Sequence, residues 1–163
     1  MTKILVVDDH AVVRQGVKQI LNEQFQGAVI GEAQNAEEMI DRIRKFTWDI
    51  VVLDVGMPGK SGLDALKDLK QVCPKLPVLV LSAYPEDQLA RRMLKAGAAG
   101  YLTKDSAPND LVQALRKILG GGKFVSASMA ELLVANLNEQ DERPLHELLS
   151  DREYQVMCLI AVG

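Results

Sequence analysis

Lys3-Ile4-Leu5-Val6-Val7-Asp8-Asp9 decides the fold: an aliphatic run with no polar alternation that stops on two acids. Alternation marks a strand with one wet face, whereas an unbroken apolar run fits a strand covered on both faces, as in parallel sheets flanked by helices. Further runs of this kind lie at residues 28–32, 50–54, 78–82 and 100–103, separated by amphipathic stretches. Five βα units in succession predict an α/β domain, a five-stranded parallel sheet with helices on both faces.

The intervening stretches carry helical spacing. Val13, Val17, Ile20 and Leu21 line one face of the first, and Met39, Ile40, Ile43 and Phe46 line the second. Asn35 with Glu38 three residues on forms a capping box for the second helix. Ser106 with Pro108 just inside opens a fifth, whose inner face is Leu111, Leu115 and Ile118 and which Gly120-Gly121-Gly122 ends. The first domain is therefore expected over residues 1–120.

Beyond it, residues 121–148 read as a linker. Ser128 and Glu131 cap a short helix through Leu137, followed by an acidic stretch, Asn138 to Pro144. Ser150-Asp-Arg-Glu153 repeats the capping box, and Val156, Met157 and Ile160 follow at helical spacing, so a last helix is expected within 149–163. One amphipathic helix cannot bury its own face, so this C-terminal helical extension needs a partner surface.

The bulk composition excludes several function classes. With 48% hydrophobic and 25% charged residues the chain is a globular one, and no apolar stretch approaches the roughly 20 residues of a membrane span. The start, Met1-Thr2-Lys3, runs straight into a strand without a secretory h-region, so a cytoplasmic protein with no membrane partner is expected. Cys73 and Cys158 lie far apart with no CxxC and read as reduced, buried thiols. Residues 1–120 hold 16 Lys and Arg against 15 Asp and Glu, whereas 121–163 hold 3 against 7, which puts the acidic excess in the tail. No clustered basic face of the kind that binds nucleic acid is present in the pattern.

The chemistry gathers at strand ends. Asp8 and Asp9 close the first strand, Asp54 closes Ile50-Val51-Val52-Leu53, and Lys104 follows Tyr101-Leu102-Thr103. In an open parallel sheet, ligands bind outside the carboxyl ends of the strands where the winding reverses, so all four charges face one crevice. Neighbouring carboxylates repel, and one would take a proton unless a counter-charge is supplied. Mg2+ removes that conflict. It takes oxygen ligands in an octahedron, which suits Asp9, Asp54 and the backbone carbonyl of Gly56, with Asp8 acting through a bound water. Lys104 can pair with an incoming anion that the acids alone would repel.

Metal, lysine and a central carboxylate suit phosphoryl transfer to Asp54, giving an aspartyl phosphate. Ser82, ending the fourth strand, is placed to hydrogen-bond the phosphoryl group, and Tyr101 to swing inward as Ser82 moves. Each residue has a plainer reading. A lone strand-end carboxylate is ordinary surface charge, Tyr101 serves equally as static packing, and His10 reads as a surface histidine because a hard Mg2+ site prefers oxygen. Gly56 and Gly62 serve backbone conformation in the loop after the third strand. Arg91, Arg92 and Lys95 form a basic cluster that is either a solvated face or a partner surface.

These motifs carry a resemblance. Asp8-Asp9, Asp54-Val-Gly-Met57-Pro58 with Gly62, Ser82-Ala83 and Tyr101-Leu-Thr-Lys104 resemble the receiver domain of bacterial two-component response regulators, over residues 1 to 120. Residues 149–163 resemble the first helix of the LuxR-type helix-turn-helix output domain. The resemblance implies a flavodoxin-like sheet of order 2-1-3-4-5, Asp54 as phosphoacceptor, Mg2+ at Asp8 and Asp9, and a sensor histidine kinase as donor. It implies a homodimer through the fourth helix, fifth strand and fifth helix, and transcriptional control in the full-length form. Asp105 stands where most receivers carry proline. The sequence stops at Gly163, before a recognition helix, so DNA is expected to be reached only through the missing part of the output domain.

Three other functions compete with transcriptional control. A receiver acting through protein binding, or as a phosphate shuttle, would need no output domain, which residues 149–163 argue against. A Mg2+-dependent phosphatase of the haloacid-dehalogenase type would place an acid two residues after its nucleophile, where Gly56 stands, so the chain is not expected to be an enzyme. A flavodoxin-like cofactor carrier would have a Ser/Thr/Gly-rich loop after the first strand in place of Asp8-Asp9-His10.

Overall fold

The computed structural model describes residues 1–84 and 88–137. It contains strands β1 (Lys3–Val7), β2 (Val29–Ala33), β3 (Ile50–Asp54), β4 (Val78–Ser82) and β5 (Gly100–Thr103). Between and after them run α1 (Ala11–Gln24), α2 (Ala36–Lys45), α3 (Gly62–Val72), α4 (Gln88–Lys95), α5 (Ala107–Leu119) and α6 (Ala127–Leu137). All pairings are parallel, in the order β2-β1-β3-β4-β5. The α/β sheet with helices on both faces thus matches the expected 2-1-3-4-5 winding, and β2 starts one residue later than its sequence run. The acidic stretch from Asn138 and the helix expected within 149–163 lie outside the described residues, as does Cys158, while Cys73 is only half-buried.

Period-2 geometry explains why the interiors of the inner strands are apolar. On β1, Leu5 and Val7 enter one core while Ile4 and Val6 enter the other, and β3 repeats this with Val51 and Leu53 against Ile50 and Val52. The first core is closed by α2, α3 and α4 through residues such as Met39, Leu66 and Met93; the second by α1 and α5 through Leu21, Leu111 and Leu115. Each inner strand therefore spends both faces on burial and keeps its polar groups for its end.

Local sequence fixes most boundaries. Asn35 Oδ1 accepts from the Glu38 N–H at 2.8 Å, and Glu38 Oε2 accepts in return from the Gln34 N–H, also at 2.8 Å. The box is thus displaced by one residue on its return side. Ser106 stands just before α5 with Pro108 in its first turn, as expected, although its hydroxyl donates to the Thr103 carbonyl at 3.1 Å and makes no cap hydrogen bond. Two expectations need correction. Phe46 does not line α2; it is the residue after the helix, half exposed, with its ring edge-on to Trp48. The α6 helix starts at Ala127, so Ser128 lies inside it, and Ser126 Oγ accepts from the Met129 N–H at 3.1 Å.

Chain past the triple glycine remains attached to the sheet. Phe124 forms a parallel bridge with Gly100, donating its N–H to Ala99 O at 3.0 Å and accepting from the Tyr101 N–H at 3.3 Å. Its side chain packs into the α1/α5 core, whereas Met129 on α6 packs into the opposite one, so the segment crosses over the outer edge of β5. A Cβ on Gly100 would stand 2.9 Å from the Phe124 carbonyl oxygen, which is why glycine sits there.

Candidate functional site

The crevice forms at the carboxyl ends of β1, β3, β4 and β5. Asp8 leaves β1 with its N–H on Ala33 O at 3.1 Å, and its carboxyl is buried beside Lys104 rather than out in solvent. Asp54 is the last residue of β3 and is 1% exposed, Asp8 is 2% exposed, and Asp9 is partly exposed. Lys104 extends β5 beyond its assigned end by donating its N–H to Ser82 O at 2.8 Å. This holds the ammonium across the crevice, 3.2 Å from Asp8 Oδ2 and 3.3 Å from Asp54 Oδ1.

Asp8, Asp9, His10 and Asp54 each offer a donor atom, all within 4.8 Å of one another. Asp54 Oδ1 accepts from the Gly56 N–H at 3.0 Å. Asp54 Oδ2, Asp8 Oδ2 and Asp9 Oδ1 are shielded from solvent yet accept no hydrogen bond. The Lys104 ammonium near Asp8 Oδ2 and His10 Nδ1 near Asp9 Oδ1 are ion-pair contacts without hydrogen-bond alignment. Buried carboxylate oxygens in this state are expensive unless a cation meets them. Three such oxygens converging from two strand ends suit a hard divalent ion.

Electrostatics separates the two buried acids. Burial raises the Asp8 carboxyl, but the His10 amide and the Lys104 ammonium outweigh it and hold the group below the usual carboxylate range. Burial also raises Asp54; the Gly56 amide and Lys104 oppose it, the charge on Asp8 adds to it, and the carboxyl stands above that range. For Lys104, burial lowers the ammonium and the charges of Asp54 and Asp8 more than restore it, so it stays protonated.

Ser82 is fully buried at the end of β4, with its Oγ accepting from the Tyr84 N–H at 2.9 Å. Tyr101 is already turned inward, 1% exposed, with its hydroxyl donating to the Tyr84 carbonyl at 3.3 Å. An inward swing is therefore not open to it from this arrangement. Gly56 contributes its N–H to Asp54, and the peptide between Lys104 and Asp105 is trans, the turn being closed by the Ser106 N–H on Thr103 O at 3.2 Å.

Two more residues touch the site: His10, read from the sequence as a surface histidine, and Arg14, which spacing did not mark. His10 is the residue before α1, its N–H on Asp8 Oδ1 at 2.8 Å and its Nδ1 3.1 Å from that oxygen and 3.0 Å from Asp9 Oδ1. Arg14 donates from Nη1 to the Asp8 carbonyl at 2.7 Å and from Nε to Glu32 at 3.3 Å, tying the β1–α1 turn to β2. Helical side chains lean toward the N-terminus, so a first-turn arginine after an acid pair carries a legible signal for such a brace.

Comparison with known proteins agrees with this geometry. Residues 4–116 match the family model described as the response regulator receiver domain. The chain is 36% identical over 161 residues to the response regulator GacA of Pseudomonas syringae pv. syringae, across 98% of this chain and 75% of that protein. It is similar to a solved LuxR-family two-component response regulator from Aurantimonas sp. SI85-9A1, with a TM-score of 0.76, 34% identity, and 83% of this chain and 98% of that chain covered. A structure of two RcsB dimers bound to two parallel DNAs matches with a TM-score of 0.72 and 28% identity, over 81% of this chain and 66% of that one. Strand-end acids, a lysine across the crevice and these matches converge: the chain belongs to the response regulator receiver domain family, as a two-component signalling protein.

Proposed function

We propose that Asp54 accepts a phosphoryl group from the phosphohistidine of a sensor kinase, and that Ser82, Tyr101 and the segment beyond α5 pass the change to an output domain. The observation that carries this reading is the state of Asp54. Its Oδ1 is held by the Gly56 N–H with Lys104 beside it, while Oδ2 is buried without a hydrogen bond, a carboxylate oxygen oriented and not consumed. In the transfer, the bond from an Asp54 oxygen to phosphorus forms as the phosphorus–nitrogen bond of the donor breaks, and the freed imidazole takes a proton from solvent.

Asp9, Asp54 and the Gly56 carbonyl would hold Mg2+, with Asp8 acting through a water. Bound there, Mg2+ supplies neutralisation of the charge that builds on the phosphoryl oxygens. Lys104 adds a second positive charge beside Asp54 Oδ1 and orients the anion. Ser82 exchanges its bond to the Tyr84 amide for one to the phosphoryl group, a contact present in one state alone and so able to shift a population.

Residues 1 to about 120 with the attached Phe124–Met129 segment act as the receiver, the stretch to 148 as linker, and 149–163 as the first helix of a LuxR-type DNA-binding domain. The RcsB dimers on DNA support a homodimer and an output through DNA in the full-length form. Gly56, where a phosphatase acid would stand, supports a signalling role rather than turnover of phosphomonoesters. Among the described residues no helix is long and apolar enough to cross a membrane, and a kinase-fed regulator of transcription works in the cytoplasm.

Intact-mass spectrometry after incubation with Mg2+ and acetyl phosphate tests the assignment. A single phosphoryl adduct that requires Mg2+ and is absent in Asp54→Asn supports it; an adduct that persists in the variant places the acceptor elsewhere.

A further inference from the structure

Asp8 is gripped at both ends of its own backbone by consecutive residues of the edge strand β2. Its N–H donates to the Ala33 carbonyl at 3.1 Å. Its carbonyl accepts from Arg14 Nη1 at 2.7 Å, and Arg14 Nε in turn donates to Glu32 Oε1 at 3.3 Å. Glu32 and Ala33 lie opposite Val6 and Val7 in the parallel register, which places them beside the end of β1. The Arg14 side chain is 11% exposed, and its guanidinium meets two acceptors at once, which a rigid fork of N–H donors allows and a single ammonium does not. Glu32 Oε2 also meets Lys18 Nζ at 3.1 Å. Lys18 first, against burial, and then Arg14 hold the Glu32 carboxyl below its usual range, so the anchor of the arginine keeps its charge.

The oxygen that Arg14 holds belongs to the peptide joining Asp8 to Asp9. A peptide is planar, so fixing its oxygen fixes the direction in which the chain leaves toward Asp9 Cα. This matters more for Asp9 than for Asp8. The Asp8 carboxyl is held directly, by the His10 N–H and by Lys104, whereas Asp9 Oδ1 accepts no hydrogen bond and has only the mostly exposed His10 ring beside it. Placement of the Asp9 carboxylate therefore comes from its backbone. We propose that Arg14, anchored by Glu32, is a positioning residue for phosphoryl transfer: through the Asp8–Asp9 peptide it aims the Asp9 carboxylate at the space beside Asp54. The proposal rests on Asp54 being the acceptor and Asp9 serving it, and adds the pair that sets Asp9 without touching the reacting atoms. A misplacement of about 1 Å can cost about a hundredfold in rate, so a brace outside the crevice has leverage on the chemistry inside it.

The test uses the full chain as wild type, Arg14→Ala, Arg14→Lys, Glu32→Gln and Lys18→Ala, with acetyl phosphate and saturating Mg2+ as the phosphorylation probe. In Arg14→Ala the rate of Asp54 adduct formation is expected to fall about tenfold or more. Arg14→Lys keeps the charge but reaches one acceptor, and Glu32→Gln keeps the bond to Asp8 but loosens its anchor, so both should fall between that variant and wild type. Lys18→Ala removes the other partner of Glu32 and leaves both Arg14 contacts, so its rate should stay within about twofold of wild type. In metal-free protein, nitrogen relaxation NMR should show new microsecond-to-millisecond exchange at the Asp9 and His10 amides in Arg14→Ala, less in Arg14→Lys, and none in Lys18→Ala. An Arg14→Ala rate within about twofold of wild type, or an equal fall in Lys18→Ala, would mean that Arg14 merely secures α1 to the sheet and would overturn the proposal. So would an Asp9 amide that stays quiet in Arg14→Ala. If Arg14→Ala does not fold, Arg14→Lys and Glu32→Gln carry the same comparison. Absence of an Asp54 adduct in wild type would overturn the phosphoacceptor reading, and the brace is then judged on the metal-free amides alone.

Discussion

Tyr101 donates its hydroxyl to the backbone carbonyl of Tyr84 at 3.3 Å, while the Tyr84 N–H is held by Ser82 Oγ at 2.9 Å. One peptide segment is thus gripped from both sides, by the strand next to the crevice and by the strand at the sheet edge. If a phosphoryl group on Asp54 draws away the Ser82 hydroxyl, its grip on the Tyr84 amide is released while the Tyr101 hydroxyl still holds the Tyr84 carbonyl. Tyr101→Phe is expected to cost about 1 kcal/mol in urea unfolding, the usual net worth of a hydrogen bond. It should form the Asp54 adduct at wild-type yield, with a smaller phosphorylation-induced shift of the Tyr84 amide resonance; an unchanged shift would return Tyr101 to static packing.

Lys104 and a metal ion compete for the same oxygens. The ammonium lies 3.2 Å from Asp8 Oδ2 and 3.3 Å from Asp54 Oδ1, close enough to repel an incoming dication by about 1–4 kcal/mol at the dielectric of a protein surface. Lys104→Ala is therefore expected to bind Mg2+ several-fold more tightly by calorimetry, the gain shrinking with added salt, yet to lose most of its adduct with acetyl phosphate. Weaker Mg2+ binding would mean that the lysine orders the acids more than it repels the ion.

Asp54 sets a pH dependence of definite sign. Its carboxyl stands above the ordinary range because of burial first, with the Asp8 charge adding to it. A group whose pKa is raised on folding contributes stability that is full below its unfolded pKa and is lost as pH rises through the folded value. Asp8, held low, acts in the opposite sense, its contribution present above its ordinary pKa and lost in acid. In metal-free buffer Asp54→Asn should be more stable than wild type at neutral pH by about 1 kcal/mol or more. The difference should close as pH falls through the raised Asp54 pKa toward the ordinary carboxylate value. Urea midpoints across that window give the measurement, and a constant difference would contradict it.

Gly62 opens α3 where the helix meets the loop after β3. A Cβ there would stand 2.4 Å from Val55 Cβ and 2.6 Å from Val55 Cα, which is backbone and cannot yield cheaply. Gly62→Ala is expected to destabilise by about 1–3 kcal/mol through overpacking, although alanine is the better helix former. A neutral or stabilising result in chemical denaturation would show that α3 can shift.

The strands were legible because burial on both faces leaves no room for polar residues, and that constraint is visible residue by residue in Ile4 to Val7 and Ile50 to Leu53. Asp8, Asp54, Ser82 and Lys104 were legible for a related reason: polarity returns where the strand leaves the sheet. Helix ends were read less well. Ser106 has the right identity for a cap, but its hydroxyl has a nearer acceptor in the Thr103 carbonyl, and spacing cannot show which acceptor wins. Phe46 continues the apolar period of α2 beyond the point where the chain turns out toward Trp48. The contact of His10 with the acids depends on a rotamer, and the pairing of Phe124 with Gly100 depends on a path through three glycines, neither of which a period records.

The bridge from Phe124 to Gly100 bears on where this protein can be cut. An edge strand with free amides and carbonyls invites pairing with another molecule. Here the strap of chain after α5 occupies part of that rim on β5 before crossing to seat Met129 on the other side. A fragment ending at the glycines would leave the strand that precedes Lys104 uncovered along its outer rim. Excised at residue 120 the domain should stick to itself; excised beyond α6 it should stay apart.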